Sequence, residues 1–265
     1  SKKFQVMTVL SSGFRNPNID DIGKIRENNG ILVVPNTFLK PEYAYNLDLG
    51  INYKSLNELT YLSLRTFATV ISRHIVRDDF IIFSDNTTPD EFTILYNGEE
   101  VTTIANKNLG NRFIHGYSID GFSYFSRSLK LNGSLSYVKG DENETYGPMP
   151  SISPIFGTIS GEYTKDKIKI SALYKFSGDK NPKDYSLGGE DGLEETPLIT
   201  ENSNGIIYAG TPKWSDFSIY TNYDISEDVK IRIALTNIFD NHYRTFASGI
   251  SAPGRSFQIG LYLKL

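Results

Sequence analysis

The 265-residue chain has no cysteine, one tryptophan, two methionines and three histidines. The lack of cysteine excludes a disulfide framework and thiolate-bound zinc. No stretch approaches the roughly 20 consecutive apolar residues of a membrane helix, and the mean hydropathy is −0.31. A helical membrane protein is excluded on that ground. A membrane barrel is not, because its strands carry a far weaker signal. Basic excess is also missing. Lys and Arg number 27 against 31 Asp and Glu, a net charge of −4, which argues against nucleic acid as a partner. Ser1-Lys2-Lys3-Phe4 has no signal-peptide pattern, so a processed chain or a piece of a longer one is expected.

Catalytic motifs are absent too. There is no Gly-x-Ser-x-Gly elbow, phosphate-binding loop or His-Glu-x-x-His helix. His74, His115 and His242 share no metal-ligand spacing, and each reads as structural or solvated. Gly188-Gly189-Glu190-Asp191-Gly192 has the composition of a cation-binding turn but the spacing of no calcium loop, so it reads as a solvated acidic loop. No enzyme, cofactor or metal site is expected.

What the chain does have is alternation. Tyr43, Tyr45, Leu47, Leu49, Ile51 and Tyr53 alternate with Ala44, Asn46, Asp48, Gly50 and Asn52. A strand has period two, so one face is apolar and the other polar. Tyrosines at both ends and aliphatics between them suit a bilayer-spanning strand. A sandwich strand with tyrosines at its rims gives the same pattern. Phe257, Ile259, Leu261, Leu263 and Leu265 repeat it at the end of the chain. In all, about ten strands are predicted, near 4–13, 42–54, 59–78, 112–128, 130–140, 154–164, 167–178, 214–224, 229–239 and 255–265. The fold class expected is all-β and antiparallel, and a transmembrane β-barrel is the reading that the connections favour.

The connections alternate in length. Short turns fall at 54–58, 128–129, 165–166 and 225–229. Long loops fall at 15–41, 79–111, 141–153, 178–213 and 240–254. A soluble sandwich has no reason to gather its long loops at one end. Outer-membrane barrels do so, with short periplasmic turns and long extracellular loops. The polar faces carry Asp48, Arg65, Arg73, Arg77, Asp120, Lys169, Lys175 and Arg232. Such charges require water or a polar filling rather than a dry core. Arg65, Arg73 and Arg77 are expected up one inward face of the third strand.

Three motifs then resemble one family. Leu235-Thr236-Asn237-Ile238-Phe239-Asp240-Asn241-His242-Tyr243-Arg244, followed by Pro253-Gly254-Arg255-Ser256-Phe257, resembles the C-terminal signature of TonB-dependent outer-membrane receptors. Gly13-Phe14-Arg15-Asn16-Pro17-Asn18-Ile19-Asp20-Asp21 is similar to the mid-barrel segment of the same family, and Asn36-Thr37-Phe38-Leu39-Lys40-Pro41-Glu42 to the stretch that follows it there. Gly13, Phe14, Arg15, Pro17, Leu39, Lys40, Pro41, Glu42, Asn237, Phe239, Asp240, Tyr243, Pro253, Gly254 and Arg255 read as structural residues of these motifs. Leu265 stands where the family usually ends in an aromatic.

The resemblance implies a barrel of about 22 strands with a plugged lumen. Residues 1–265 then form the C-terminal barrel segment, without the plug domain. It implies energised uptake of a scarce large solute, such as an iron–siderophore or other metal chelate. The implied partners are outer-membrane lipid, a small-molecule ligand, and the TonB complex acting through the absent plug. Ligand candidates on loops are Arg15, Tyr96, Tyr185, Tyr208, Trp214 and Tyr243. Two rivals remain from sequence: a self-contained ten-stranded outer-membrane barrel acting as adhesin or hydrolase, and a soluble carbohydrate-binding sandwich.

Overall fold

The computed structural model describes residues 3–28, 30–82, 92–143, 147–186, 191–202 and 205–264. Leu265 and the Gly188–Glu190 part of the acidic loop lie outside the described residues. Ten long strands follow one another: β1 (Phe4–Arg15), β2 (Glu42–Lys54), β3 (Thr60–Ser72), β4 (Asn111–Tyr124), β5 (Leu129–Gly140), β6 (Phe156–Lys165), β7 (Ile168–Ser177), β8 (Trp214–Asp224), β9 (Val229–Thr236) and β10 (Ser256–Leu263). They form one sheet in which sequence order equals spatial order. The ladders from β5 through β10 are antiparallel, with Gly133 opposite Ile159, Lys175 opposite Asp216 and Leu235 opposite Phe257.

By contacts the chain divides into two compact units. One comprises Ser1–Val9, Asp48–Ala68 and His115–Leu265, the other Leu10–Leu47 and Thr69–Ile114.

The ten-stranded sheet is apolar on its exposed face and polar on its covered one. On β2, Tyr43, Tyr45, Leu47, Leu49 and Ile51 are exposed, and Ala44, Asn46 and Asp48 are half-buried. On β3, Leu62 and Leu64 are exposed while Ser63 between them is 0% exposed. The polar side is cross-linked by its own side chains. The Thr69 hydroxyl donates to Asn46 Oδ1 at 2.7 Å, the Tyr61 hydroxyl to Asn52 Oδ1 at 3.2 Å, and Lys169 Nζ lies 2.6 Å from Glu162. A water-soluble sheet buries its aliphatic stripe instead. Burial here is reversed, as a lipid-facing wall requires. Aromatic pairs stand at the strand ends, Phe4 with Tyr53 at 5.1 Å and Phe14 with Tyr43 at 6.3 Å.

Two expectations need correction. The predicted strand 59–78 breaks at Arg73, which takes φ 57°. β3 ends at Ser72, and Ile75–Asp79 joins a different sheet. Arg65, Arg73 and Arg77 therefore do not run up one strand face. His74 sits just beyond the break, between β3 and Ile75–Asp79. The break is held by Asn108, whose amide donates to the Arg73 and Lys40 carbonyls, both at 2.8 Å.

The stretches 15–41 and 79–111 are also more ordered than plain loops. They contain helix α1 (Ile19–Gly23) and the short strands Arg26–Asn28, Ile31–Val33, Thr93–Tyr96 and Glu99–Asn108. With Ile75–Asp79 these strands make a five-stranded sheet. Its core is ordinary, with Leu32, Val34, Val101 and Ala105 buried beneath Phe80, Ile94 and Tyr96.

Candidate functional site

The C-terminal motif builds a turn. Asn237 closes β9 at φ 46° and is 2% exposed. Its amide donates to the carbonyls of Asn241 at 2.9 Å and Pro253 at 3.0 Å, and its Oδ1 accepts from the Asn241 N–H at 3.0 Å. Asp240, at φ 55°, accepts from the Arg255 N–H at 2.7 Å. Asn tolerates the left-handed conformation and replaces the missing backbone bonds with its own. The loop 242–252 is thus anchored at both ends.

Tyr243, just past that turn, stacks on Trp214 at 4.3 Å and 15°. Its hydroxyl donates to Asp216 Oδ2 at 3.0 Å. Asp216 also accepts from Ser218 at 2.8 Å and meets Lys175 Nζ at 3.1 Å. Burial, with the Asp216 carboxylate alongside, pushes the Tyr243 phenol up to about 12.

A second cluster lies in the 178–213 connection. Asp191, read from the sequence as part of a solvated acidic loop, is instead 2% exposed and forms a buried ion pair with Lys180 at 3.0 Å. The lysine also donates to the Ile152 carbonyl at 2.7 Å and lies 4.1 Å from the Phe246 ring centre. Asp191 accepts from the Ser151 N–H at 2.7 Å. Tyr185, 3% exposed, shares a 2.6 Å hydrogen bond with Thr211 and meets Phe246 edge-on. Burial raises its phenol as well. Three loops are tied together here, and the pair is satisfied as a buried charge must be.

Between these clusters lies a cavity of about 440 Å³, walled by Glu195, Thr211, Lys213, His242, Tyr243 and Arg244 among others. Arg244 donates to the Glu195 carbonyl at 2.7 Å, and His242 Nε2 lies 3.0 Å from Ser251 Oγ. Lys213 is exposed at the rim.

Of the sequence candidates, Tyr243 lines this cavity, Trp214 stacks on Tyr243, and Tyr185 packs behind Thr211. Tyr208 ends the strand Gly205–Tyr208, half-buried, opposite Leu198. Tyr96 packs on the small sheet's core. Arg15 is engaged elsewhere, its guanidinium bridging Asp21 at 2.6 Å and Glu42 at 3.0 Å. Glu42 accepts in turn from the Ile75 N–H at 2.6 Å and lies 2.8 Å from His74 Nδ1. Asn18 and Asp21 cap α1 reciprocally, both bonds 2.9 Å. Arg15, Asp21, Glu42 and His74 are thus joined in one network of charge-assisted contacts.

Sequence reasoning missed Asp216, Lys180, Phe246, Lys213 and Arg244. Asp216 faces Lys175 across a ladder, and that pairing exists only once the register is known. Among the described residues no group of three or more His, Asp or Glu is placed to hold a metal.

Comparison with known proteins fits this architecture. The family described as TonB dependent receptor-like, beta-barrel matches residues 3–238. The chain is 23% identical over 262 residues to hemoglobin-haptoglobin utilization protein B of Neisseria meningitidis serogroup C, covering 94% of this chain and 31% of that relative. The siderophore receptor PirA of Acinetobacter baumannii superposes with a TM-score of 0.72 at 18% identity, over 98% of this chain and 39% of that one. A variant of the ferric enterobactin receptor PfeA of Pseudomonas aeruginosa gives 0.73 at 16% identity, over 99% and 38%. The chain spans about a third of the length of the curated relatives it matches. Proteins of this family are transport receptors of the outer membrane, not enzymes. With ten consecutive strands in one sheet, a reversed pattern of burial and the family model matched over residues 3–238, the chain belongs to the TonB-dependent receptor β-barrel family.

Proposed function

We propose that residues 1–265 are the C-terminal barrel segment of a receptor that takes up a scarce, large solute, an iron–siderophore or another metal chelate. The carrying observation is the 440 Å³ loop cavity, with Tyr243 on its wall, the cation Lys213 at its side and Arg244 paired with Glu195 at 3.7 Å. Aromatic and cationic groups together suit a large anionic chelate. The names of the similar receptors, siderophore and ferric enterobactin, support iron as the cargo. The name of the curated relatives favours a second cargo, an iron-bearing haem protein. Energy would come from TonB acting on a part of the receptor outside these residues, and no covalent chemistry is assigned to the chain.

The test is growth of an iron-starved strain carrying the full-length receptor, with a ferric siderophore or haemoglobin as the sole iron source. Growth on one source is expected to require both the receptor and TonB. Undiminished uptake without TonB would refute the reading. Lys213→Glu is expected to weaken binding of an anionic chelate about tenfold, the size of one lost charge-assisted contact. An unchanged Kd would remove the cavity from the account.

A further inference from the structure

The apolar face of the ten-stranded sheet is not uniform. Across β3 to β6 it is cut by an open groove of about 660 Å³. Its walls are Leu62, Ile119, Leu131, Leu135 and Ile159, with Phe125 at one end. Gly121 and Gly133 form the floor. A Cβ at Gly121 would lie 2.5 Å from the Tyr61 carbonyl oxygen, so only glycine lets the strands approach there. A Cβ at Gly133 meets nothing closer than 3.8 Å, so the space above it is open.

The chemistry changes in order toward the short-turn end. At the foot of the groove stands a hydroxyl pair, Thr60 and Ser123, 2.8 Å apart on the groove wall. Beyond it lie the turns 125–128 and 165–167, joined by the Thr164 N–H on the Ser128 carbonyl at 2.8 Å. They carry Arg127, Lys165 and Lys167 against the single carboxylate Asp166. Lys167 is spent on the Ile225 carbonyl at 2.9 Å. Arg127 and Lys165 are exposed, and among the described residues neither has an ion-pair partner. The flanking turns differ. Lys54 is neutralised by Glu58 at 2.9 Å on one side, and the other side carries Glu227 and Asp228. Of the four short turns, the two beneath the groove are thus the ones with a net positive charge.

We propose that this groove holds one anionic phospholipid of the periplasmic leaflet. An acyl chain lies over Gly133, the ester groups reach Thr60 and Ser123, and the phosphate meets Arg127 and Lys165. The levels match in scale, since Gly133 and Leu129 are four residues apart, about 13 Å along a strand. Cationic side chains at the headgroup level attract anionic lipid. The inference rests on the outer-membrane reading of the sheet, but not on which solute the receptor carries.

The full-length receptor in detergent, titrated with dioleoyl phosphatidylglycerol or phosphatidylcholine and followed by native mass spectrometry, tests it. One phosphatidylglycerol is expected to be retained, with about tenfold preference over phosphatidylcholine. The double variant Arg127→Glu/Lys165→Glu should erase the preference. Gly133→Leu, whose Cβ would make only an ordinary 3.8 Å contact with the Thr158 carbonyl oxygen as the side chain fills the groove, should release both lipids. Heat-modifiable migration shows that each variant has folded; if Gly133→Leu does not fold, the charge variant decides. Equal retention by the wild type and the charge variant would mean annular lipid only and overturn the proposal. A receptor dimer abolished by Gly133→Leu would give the groove to a second copy and overturn it as well. The iron-uptake assay reads the receptor assignment separately, so the two can fail independently.

Discussion

Asn237 performs three tasks with one short side chain. It ends β9, adopts the left-handed conformation and fills three hydrogen bonds that would otherwise be orphaned in a buried turn. Each buried bond is worth about 1 kcal/mol, and a non-glycine residue in that conformation adds about 1 kcal/mol. Asn237→Ala is therefore expected to destabilise the receptor by ~3–4 kcal/mol, read as a lower unfolding midpoint in denaturant. Asn237→Gly should cost about 1 kcal/mol less, because it keeps the backbone and loses only the bonds. Equal costs would show that the backbone conformation carries no strain.

Tyr243 offers a pH test at the same scale. Its phenol is raised to about 12 by burial and by the Asp216 carboxylate, so the fold favours the protonated form. That contribution is complete below pH ~10, the ordinary tyrosine value. It is lost as the pH rises through about 12. Thermal stability should fall over that window, and Tyr243→Phe should flatten that part of the fall. An identical decline in both proteins would place the titrating group elsewhere.

At the scale of elements, legibility followed locality. The ten strands of the large sheet were readable because each carries its own alternation and is bounded by its own turn. β2, Glu42–Lys54, matches its predicted range. The small sheet was not readable. Its strand Ile31–Val33 has three residues and pairs in parallel with Glu99–Asn108, some 70 positions away. Neither length nor alternation announces such a strand. The break at Arg73 was hidden for a related reason, since the Asn108 amide that holds it is 35 residues distant.

The glycines test the packing of the elements directly. A Cβ at Gly116 on β4 would lie 2.5 Å from the Tyr137 carbonyl oxygen and 2.7 Å from the Phe67 ring. Gly13 on β1 has nothing within 4 Å. Gly116→Ala is expected to reduce assembled, heat-modifiable receptor severely, and Gly13→Ala to leave it near the wild-type level. The reverse ranking would contradict the strand packing described here.

At the scale of the molecule, the decisive fact is which side of the sheet is wet. The site was only partly legible for the same reason that the small sheet was hidden. Trp214 and Tyr243 stood out as loop aromatics, but the carboxylate that joins them to Lys175 needed the β7–β8 register. The direction of the faces needed no register. Tyr43 to Tyr53 alternate without interruption, and the structure leaves the aliphatic members exposed and the polar members half-buried. For a soluble domain that arrangement would be an aggregation surface. In a bilayer it is the stable one.

One measurement tests this directly. The chain contains no cysteine, so spin labels can be placed singly at positions 45–51 of β2 in a full-length receptor freed of cysteines elsewhere and reconstituted in lipid. Collision rates are then measured with oxygen, which partitions into hydrocarbon, and with a water-soluble nickel chelate. Labels at Tyr45, Leu47, Leu49 and Ile51 are expected to collide with oxygen, and labels at Asn46, Asp48 and Gly50 are not. Oxygen collisions without period two, or with the even positions favoured, would contradict it.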